Sequence, residues 1–272
     1  MKRLIVIILM TITLWPASSC KLFKKNDDDG HNGHTIPKDD IKGLVYYHDL
    51  ATDVVETIFN YYIEGAQAPS CIQMESLDAL TDRWNFTGSC QLPDGHTYAG
   101  KIRFNKIPGD GIVCVLYQDT NEYFIIDQMP LHYGSYIRIE QNNNNYDLIY
   151  YLYLIRPNDT VNISGEMSLH LIAPGQSADG SDKHWQIDNE NFDYIIGEGG
   201  SNPPQVEYLS NVTVDPLEKQ YNCPLALRGK LRVQHRDGEI SYYIDYGNGQ
   251  CDNTVIVYTD EGERETLTIS SP

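Results

Sequence analysis

The spacing of hydrophobic positions changes once along this chain. From Ile41 to Tyr62 they recur every three or four residues (Ile41, Leu44, Val45, Leu50, Val54, Val55, Ile58, Phe59 and Tyr62), the period of one helix face. Asp39 and Asp40 suit an N-cap and first turn, and Gly65 suits a C-terminal stop. The pattern predicts one amphipathic helix over residues 39–66. Gly43 costs about 1 kcal/mol against Ala in a helix, so a start nearer Asp49 fits the same pattern. Few basic residues flank the apolar stripe, unlike a membrane-surface helix, so the helix is expected to pack on the sheet formed by the rest of the chain.

From Ser70 the period drops to two, with turn residues between short apolar runs. Strands are predicted over 84–89, 98–105, 112–118, 123–128, 135–140, 148–155, 161–172, 184–187, 193–196, 206–214, 225–235, 240–246, 254–258 and 266–270. Asp94-Gly95 and Asp237-Gly238 sit where tight hairpins need positive φ. The run Asn142 to Asn145 reads as a longer loop. Leu231, Val233 and His235, then Ile240, Tyr242, Ile244 and Tyr246, alternate as a hairpin with one buried face. Many short strands after a single helix argue for a mainly β protein: an antiparallel β-sandwich or an extended meander with one N-terminal amphipathic helix. Residues 67–272 form that β domain, as one unit or as two similar halves. Trp84 to Cys90 resembles Tyr243 to Cys251 in outline.

The first residues match neither pattern. Lys2 and Arg3 precede an apolar run, Leu4 to Trp15, too short to span a bilayer, so residues 1–19 read as a secretion signal. Ala17 and Ser19 suit a signal peptidase. Cys20, directly after them, suits lipoprotein processing, which makes it the lipidated first residue of the mature chain. Residues 20–38 then read as a disordered tether rich in Lys, Asp, Asn and Gly. Losing Lys2 and Arg3 takes the net charge from -18 to -20. Such a surface is repelled by nucleic acid.

Of the six cysteines, Cys20 is assigned to lipid. Cys71 and Cys90 bracket one short segment, Cys223 and Cys251 another, and each segment ends in Gly-x-Cys. Cys114 lies in the apolar run Gly111 to Tyr117. The expected pairs are Cys71 with Cys90 and Cys223 with Cys251, leaving Cys114 as a buried free thiol. No CxxC or Cys/His spacing supports a metal site. The His31-Asn32-Gly33-His34 stretch reads as solvated spacer, and no EF-hand loop fits Lys25 to Gly30. No cofactor is expected.

The C-terminal segment, Asp215-Pro216-Leu217, Cys223, Gly229-Lys230-Leu231 and Asp245-Tyr246-Gly247-Asn248-Gly249-Gln250-Cys251-Asp252-Asn253, resembles a group of Bacteroidetes lipoproteins without an assigned activity. Gly88-Ser89-Cys90, Asp94-Gly95-His96 and Gly100-Lys101-Ile102 are similar to that group's first half. The resemblance implies an exported, lipid-anchored, mostly β protein, and carries over no catalytic residue. Asp159-Thr160-Val161 resembles the O-glycosylation motif of those bacteria, which makes Thr160 a candidate acceptor.

No Gly-x-Ser-x-Gly, Walker loop or HExxH occurs. Asp245, Asp252 and Asn253 read as turn and strand residues beside the last cysteine. The twenty tyrosines suit strands and recognition surfaces alike. The expected function is a lipid-anchored protein of the outer membrane, at its periplasmic face or on the cell surface, that binds a glycan or protein partner through a β surface. Two rivals are a polysaccharide-processing hydrolase with an acid/base carboxylate pair and a structural component of a larger surface complex.

Overall fold

The computed structural model describes residues 36–109, 111–142, 145–197, 206–235 and 240–270. The expected secretion signal, Cys20, most of the expected tether, and the predicted Asp237-Gly238 turn lie outside the described residues. One helix among the described residues, α1 (Lys38–Ile58), runs on into a π-helical turn, Phe59–Ile63. It begins eleven residues before Asp49 and passes straight through Gly43. Its N-cap is Pro37 without a side-chain cap, and Asp39 and Asp40 occupy the first turn.

Sixteen strands come after it among the described residues. The first eight are β1 (Ile72–Asp78), β2 (Thr81–Gln91), β3 (Thr97–Ile107), β4 (Gly111–Val115), β5 (Tyr117–Asp119), β6 (Glu122–Ile126), β7 (Met129–Pro130) and β8 (Tyr136–Asn142). The rest are β9 (Asn145–Ile155), β10 (Thr160–Ala173), β11 (His184–Gly197), β12 (Val206–Gln220), β13 (Arg228–His235), β14 (Ser241–Asn248), β15 (Thr254–Thr259) and β16 (Arg264–Thr268). The main path runs β1-β2-β3-β4-β8 and then in chain order to β16, with every pairing antiparallel. The protein is therefore mainly β, a meander with one helix.

Only β5 to β7 leave the path. β3 pairs with β4 along Arg103 to Ile107 and with β6 along Tyr98 to Gly100. The changeover needs a residue without Cβ. At Gly100, φ is 85°, and a Cβ would lie 2.1 Å from the Tyr123 carbonyl oxygen.

Three expectations shift in detail. Asn142 pairs with Asn145, so β8 and β9 join through a two-residue connection rather than a longer loop. The predicted strands 184–187 and 193–196 are one strand, β11, whose pairing with β12 shifts register between Ile187 and Phe192. β12 likewise continues through Pro216, because the ladder shifts between Asp215 and Glu218 and a proline is tolerated at such a break.

The sheet is wrapped round the helix. From Leu50 to Ile58 every residue of α1 is buried, and the core joins both faces of the helix to inward positions such as Leu148, Tyr150, Leu152 and Leu154 of β9. Leu231, Val233, Tyr242, Ile244 and Tyr246 are buried too, giving the β13–β14 hairpin its single inward face. Cys71 is bonded to Cys90 and Cys223 to Cys251, while Cys114 is buried and free. Among the described residues no helix is long and apolar enough to cross a membrane.

Candidate functional site

The face of α1 opposite its apolar stripe is buried as well. Asp49, Asp53 and Glu56 are spaced four and three residues apart and share one side of the helix. They are 4, 0 and 0% exposed. Lys219 of β12, fully buried, brings Nζ to 2.7 Å from Asp49 Oδ1 and 2.9 Å from Asp53 Oδ1. The other Asp53 oxygen lies 3.2 Å from His96 Nε2. The Asp49 contact is a hydrogen bond, whereas the Asp53 oxygens sit at ion-pair distance without hydrogen-bond alignment. Neither Glu56 oxygen has a hydrogen-bond partner among the described residues.

His96 begins a second layer, nearer solvent. It sits between the β2–β3 turn and β3, and its Nδ1 lies 2.6 Å from Asp127 Oδ2. Asp127 and Gln128 form the two-residue turn between Ile126 and Met129, with φ of 49° and 67°. Neither is Gly, so the turn holds a backbone conformation that L-residues adopt at a cost of order 1 kcal/mol each. Side-chain bonds hold it there. Asp127 Oδ1 accepts the Thr97 N–H at 2.8 Å, and Oδ2 also accepts the Tyr46 hydroxyl at 3.2 Å.

Asp94 closes the β2–β3 turn by accepting the His96 N–H at 2.9 Å. Its other oxygen accepts the hydroxyls of Tyr98 at 2.6 Å and Thr57 at 3.1 Å. Thr57 is in turn 2.9 Å from the Tyr221 hydroxyl. Helix, turn and sheet thus meet through one polar network.

Five carboxyls therefore face two cations, and their surroundings separate them. Burial would lower His96, but its contacts with Asp127 and Asp53 outweigh that and raise it to about 10, which favours the imidazolium. Burial would likewise lower Lys219, but Asp49, Asp53 and Glu56 raise it. Burial raises Glu56 well above the carboxylate range, with the charges of Asp53 and Asp49 adding to it against Lys219. Asp94 is pushed up to about 7 by burial and by the Asp53 charge. Asp127 goes the other way: burial would raise it, and the His96 and Thr97 hydrogen bonds bring it down.

This network floors a cavity of about 490 Å³. Tyr46, Asp49, Asp94, His96 and Asp127 line one side, and Leu225, Asp252, Asn253 and Ile269 the other. The first group comes from the helix and the early strands, and the second from β13 to β16 and their loops. Turns from early and from late in the sheet order thus border the same cavity beside the helix. Asp252 Oδ1 accepts the Thr254 N–H at 2.8 Å, and Asn253 donates to the Ile269 carbonyl at 3.3 Å. Both shape their turn as expected, and both also face the cavity. Asp245 stays outside it, accepting the Gly247 N–H at 2.9 Å.

The tyrosines divide between interior and surface. Tyr47, Tyr98, Tyr150, Tyr194, Tyr208 and Tyr221 are core residues, while Tyr136 stacks across strands on Tyr151 and Tyr243 on Tyr258. The Tyr136–Tyr151 pair borders a smaller groove of about 270 Å³. That groove contains none of the perturbed groups described above, so the cavity at His96 is the stronger candidate. Thr160 is 9% exposed; its hydroxyl donates to the Gly197 carbonyl at 2.7 Å and accepts from Tyr153 at 3.3 Å. A glycan on that oxygen would have to displace both contacts.

Sequence reading missed Asp49, Asp53, Glu56, Asp94, His96, Asp127 and Lys219 as a group. One signal was present: carboxylates at i, i+4 and i+7 on the one predicted helix of a chain whose sheet has to cover that helix. Among the described residues no set of three or more His, Cys, Asp or Glu side chains is arranged to hold a metal ion. Compared with protein-family models, with curated proteins and with solved structures, the chain matches none.

Proposed function

We propose that this chain is a lipid-anchored cell-envelope protein, tethered through Cys20, that binds a glycan by taking a terminal sugar into the cavity at His96. The observation that carries the reading is the chemistry of the wall. Asp49, Asp94, Asp127 and Asp252 supply acceptors, Asn253 an amide, Tyr46 an aromatic face and Leu225 and Ile269 apolar contact. A polyhydroxylated ring offers many donors and one apolar face, which matches such a lining. The bonds that hold Asp127 and Asp94 in place leave the wall preorganised, so binding loses little freedom there.

Saturation-transfer NMR of a soluble Cys20→Ala chain against a panel of mono- and oligosaccharides tests this. At least one saccharide should give signal, and Ser270→Trp, at an exposed position on the cavity rim, should abolish it while leaving the melting temperature in place. A panel without signal, or signal that survives Ser270→Trp, sinks the reading. Protease accessibility on intact cells tests the address, with the lipidated and Cys20→Ala forms compared. A Cys20→Ala protein that still fractionates with membranes would remove the anchor.

A hydrolase is the second reading, favoured by one observation. Asp94, raised to about 7, and Asp127, held low, border the same cavity. A proton-holding carboxyl beside an ionised one is the asymmetry that glycoside cleavage uses. Asp94→Asn would abolish turnover of a bound oligosaccharide yet keep its binding, whereas a pure binding protein shows no turnover to lose.

A further inference from the structure

We propose that Lys219 and Asp49 condense into an intramolecular isopeptide bond that staples α1 to β12, with Glu56 as the proton carrier. The inference stands independently of which ligand enters the cavity.

Three features argue for it. The first is proximity. Lys219 Nζ is hydrogen-bonded to Asp49 Oδ1 at 2.7 Å, so the carboxyl carbon is one bond beyond a contact already made. A fixed pair of this kind reacts as if at very high effective concentration. The second is dryness. Lys219 is fully buried and the Asp49 side chain 6% exposed, so the charged pair has lost its hydration and condensation removes both charges from the interior. The third is Glu56, fully buried with neither oxygen hydrogen-bonded among the described residues. It lies two helical turns from Asp49 on the same face, and after burial itself the Lys219 charge is the largest influence on it. A structural carboxyl would be expected to find partners, whereas a proton carrier has to keep an oxygen available.

The atoms balance without a co-reactant. Lys219 gives one proton to Asp49, leaving an amine beside a carboxylic acid. Nζ attacks Cγ and the C–N bond forms. Glu56, which burial keeps protonated, gives its proton to the departing hydroxyl and takes one from nitrogen, and water leaves with Glu56 restored. Asp49 lines the cavity, so that water has a route out. Its raised pKa, caused first by burial, favours the protonated acid that the attack requires. Asp53 is the less suited electrophile, because it is shared with His96 and lacks hydrogen-bond alignment to Nζ.

Intact mass spectrometry of the folded, oxidised Cys20→Ala chain tests this directly. The protein should weigh one water less than its sequence with two disulfides. Trypsin should leave a branched peptide joining the Asp49 segment to the Lys219 segment, uncleaved at Lys219. Lys219→Arg and Glu56→Gln should each restore the full mass, with circular dichroism checking that the sheet is retained. Full mass in the Cys20→Ala chain itself overturns the proposal whatever the further variants do. A branch at Asp53 overturns the choice of Asp49, and a persisting link in Glu56→Gln removes Glu56 from the chemistry.

Discussion

Asp94 and His96 each make the stability of this protein depend on pH, and in the same direction. Asp94, raised to about 7, holds its proton more tightly folded than unfolded. Its contribution to stability is complete below the unfolded carboxyl range and is lost as pH rises through about 7. His96, raised to about 10, contributes fully below its unfolded pKa and loses that contribution as pH rises through 10. Both favour the folded state on the acid side. Asp94→Asn removes one titration and keeps an acceptor for Tyr98 and Thr57. The stability difference between parent and variant should therefore drift against the parent from about pH 4 to 7, by at most about 1.4 kcal/mol per pH unit. Urea denaturation at four pH values measures it, and parallel curves would mean that Asp94 is already ionised in the fold. The free thiol gives a second residue-scale prediction. Cys114 is fully buried and its pKa is raised by burial alone, so the folded Cys20→Ala chain should resist iodoacetamide. One thiol should become reactive in urea without reductant, and labelling of the native protein would contradict the buried assignment. Covalent chemistry was the most legible part of the sequence, because Cys spacing and an apolar run are local signals. The charge network was not, since Lys219 and Asp49 are 170 positions apart and nothing local marks Lys219 as the buried partner of the helix carboxylates.

At the scale of elements, Gly43 shows why propensity misjudged where the helix begins. A glycine inside a helix costs about 1 kcal/mol against alanine, which argued for a start near Asp49. Tertiary packing decides otherwise. A Cβ at position 43 would lie 2.7 Å from the Tyr194 hydroxyl oxygen. Tyr194 is fully buried between Tyr47 and Tyr208, at centroid distances of 6.2 and 6.4 Å, so it has little room to withdraw. Gly43→Ala should thus destabilise the protein by about 1–2 kcal/mol despite its better propensity. The Tyr194 hydroxyl has no hydrogen-bond partner among the described residues, so Tyr194→Phe should be close to neutral and should relieve the clash. In the double variant the alanine should become neutral or stabilising. A double-mutant cycle by chemical denaturation reads the coupling, and additivity would mean that the ring moves freely. The strands were legible for a complementary reason. Where one face is buried, as in the β13–β14 hairpin, period two appears in the sequence. β1 was missed because six of its seven residues are exposed, which leaves no alternation to detect.

For the whole molecule, the decisive fact is that turns from early and from late in the sheet order border one cavity, a curl that strand periodicity does not encode. Alternation says which side of each strand faces in. It does not say how tightly the strands bend, or that the enclosed helix carries charge. The disulfides divide accordingly. Cys71–Cys90 pins β1, at the outer end of the sheet order, to β2. Cys223–Cys251 joins the loop that carries Pro224 and Leu225 to the loop that carries Asp252 and Asn253, and all four residues line the cavity. By loop closure the two bonds span 19 and 28 residues and should each contribute about 3 kcal/mol. Similar losses of stability should therefore accompany different local effects. Hydrogen exchange on a Cys71→Ser/Cys90→Ser chain should show faster exchange along residues 72–78, with residues 224–227 and 252–255 still protected. A Cys223→Ser/Cys251→Ser chain should show the reverse, because the bond holds together the two loops that form one wall of the cavity. If both variants loosened the same amides, the wall would be held by the sheet rather than by the disulfide, and the cavity would be a consequence of strand order alone.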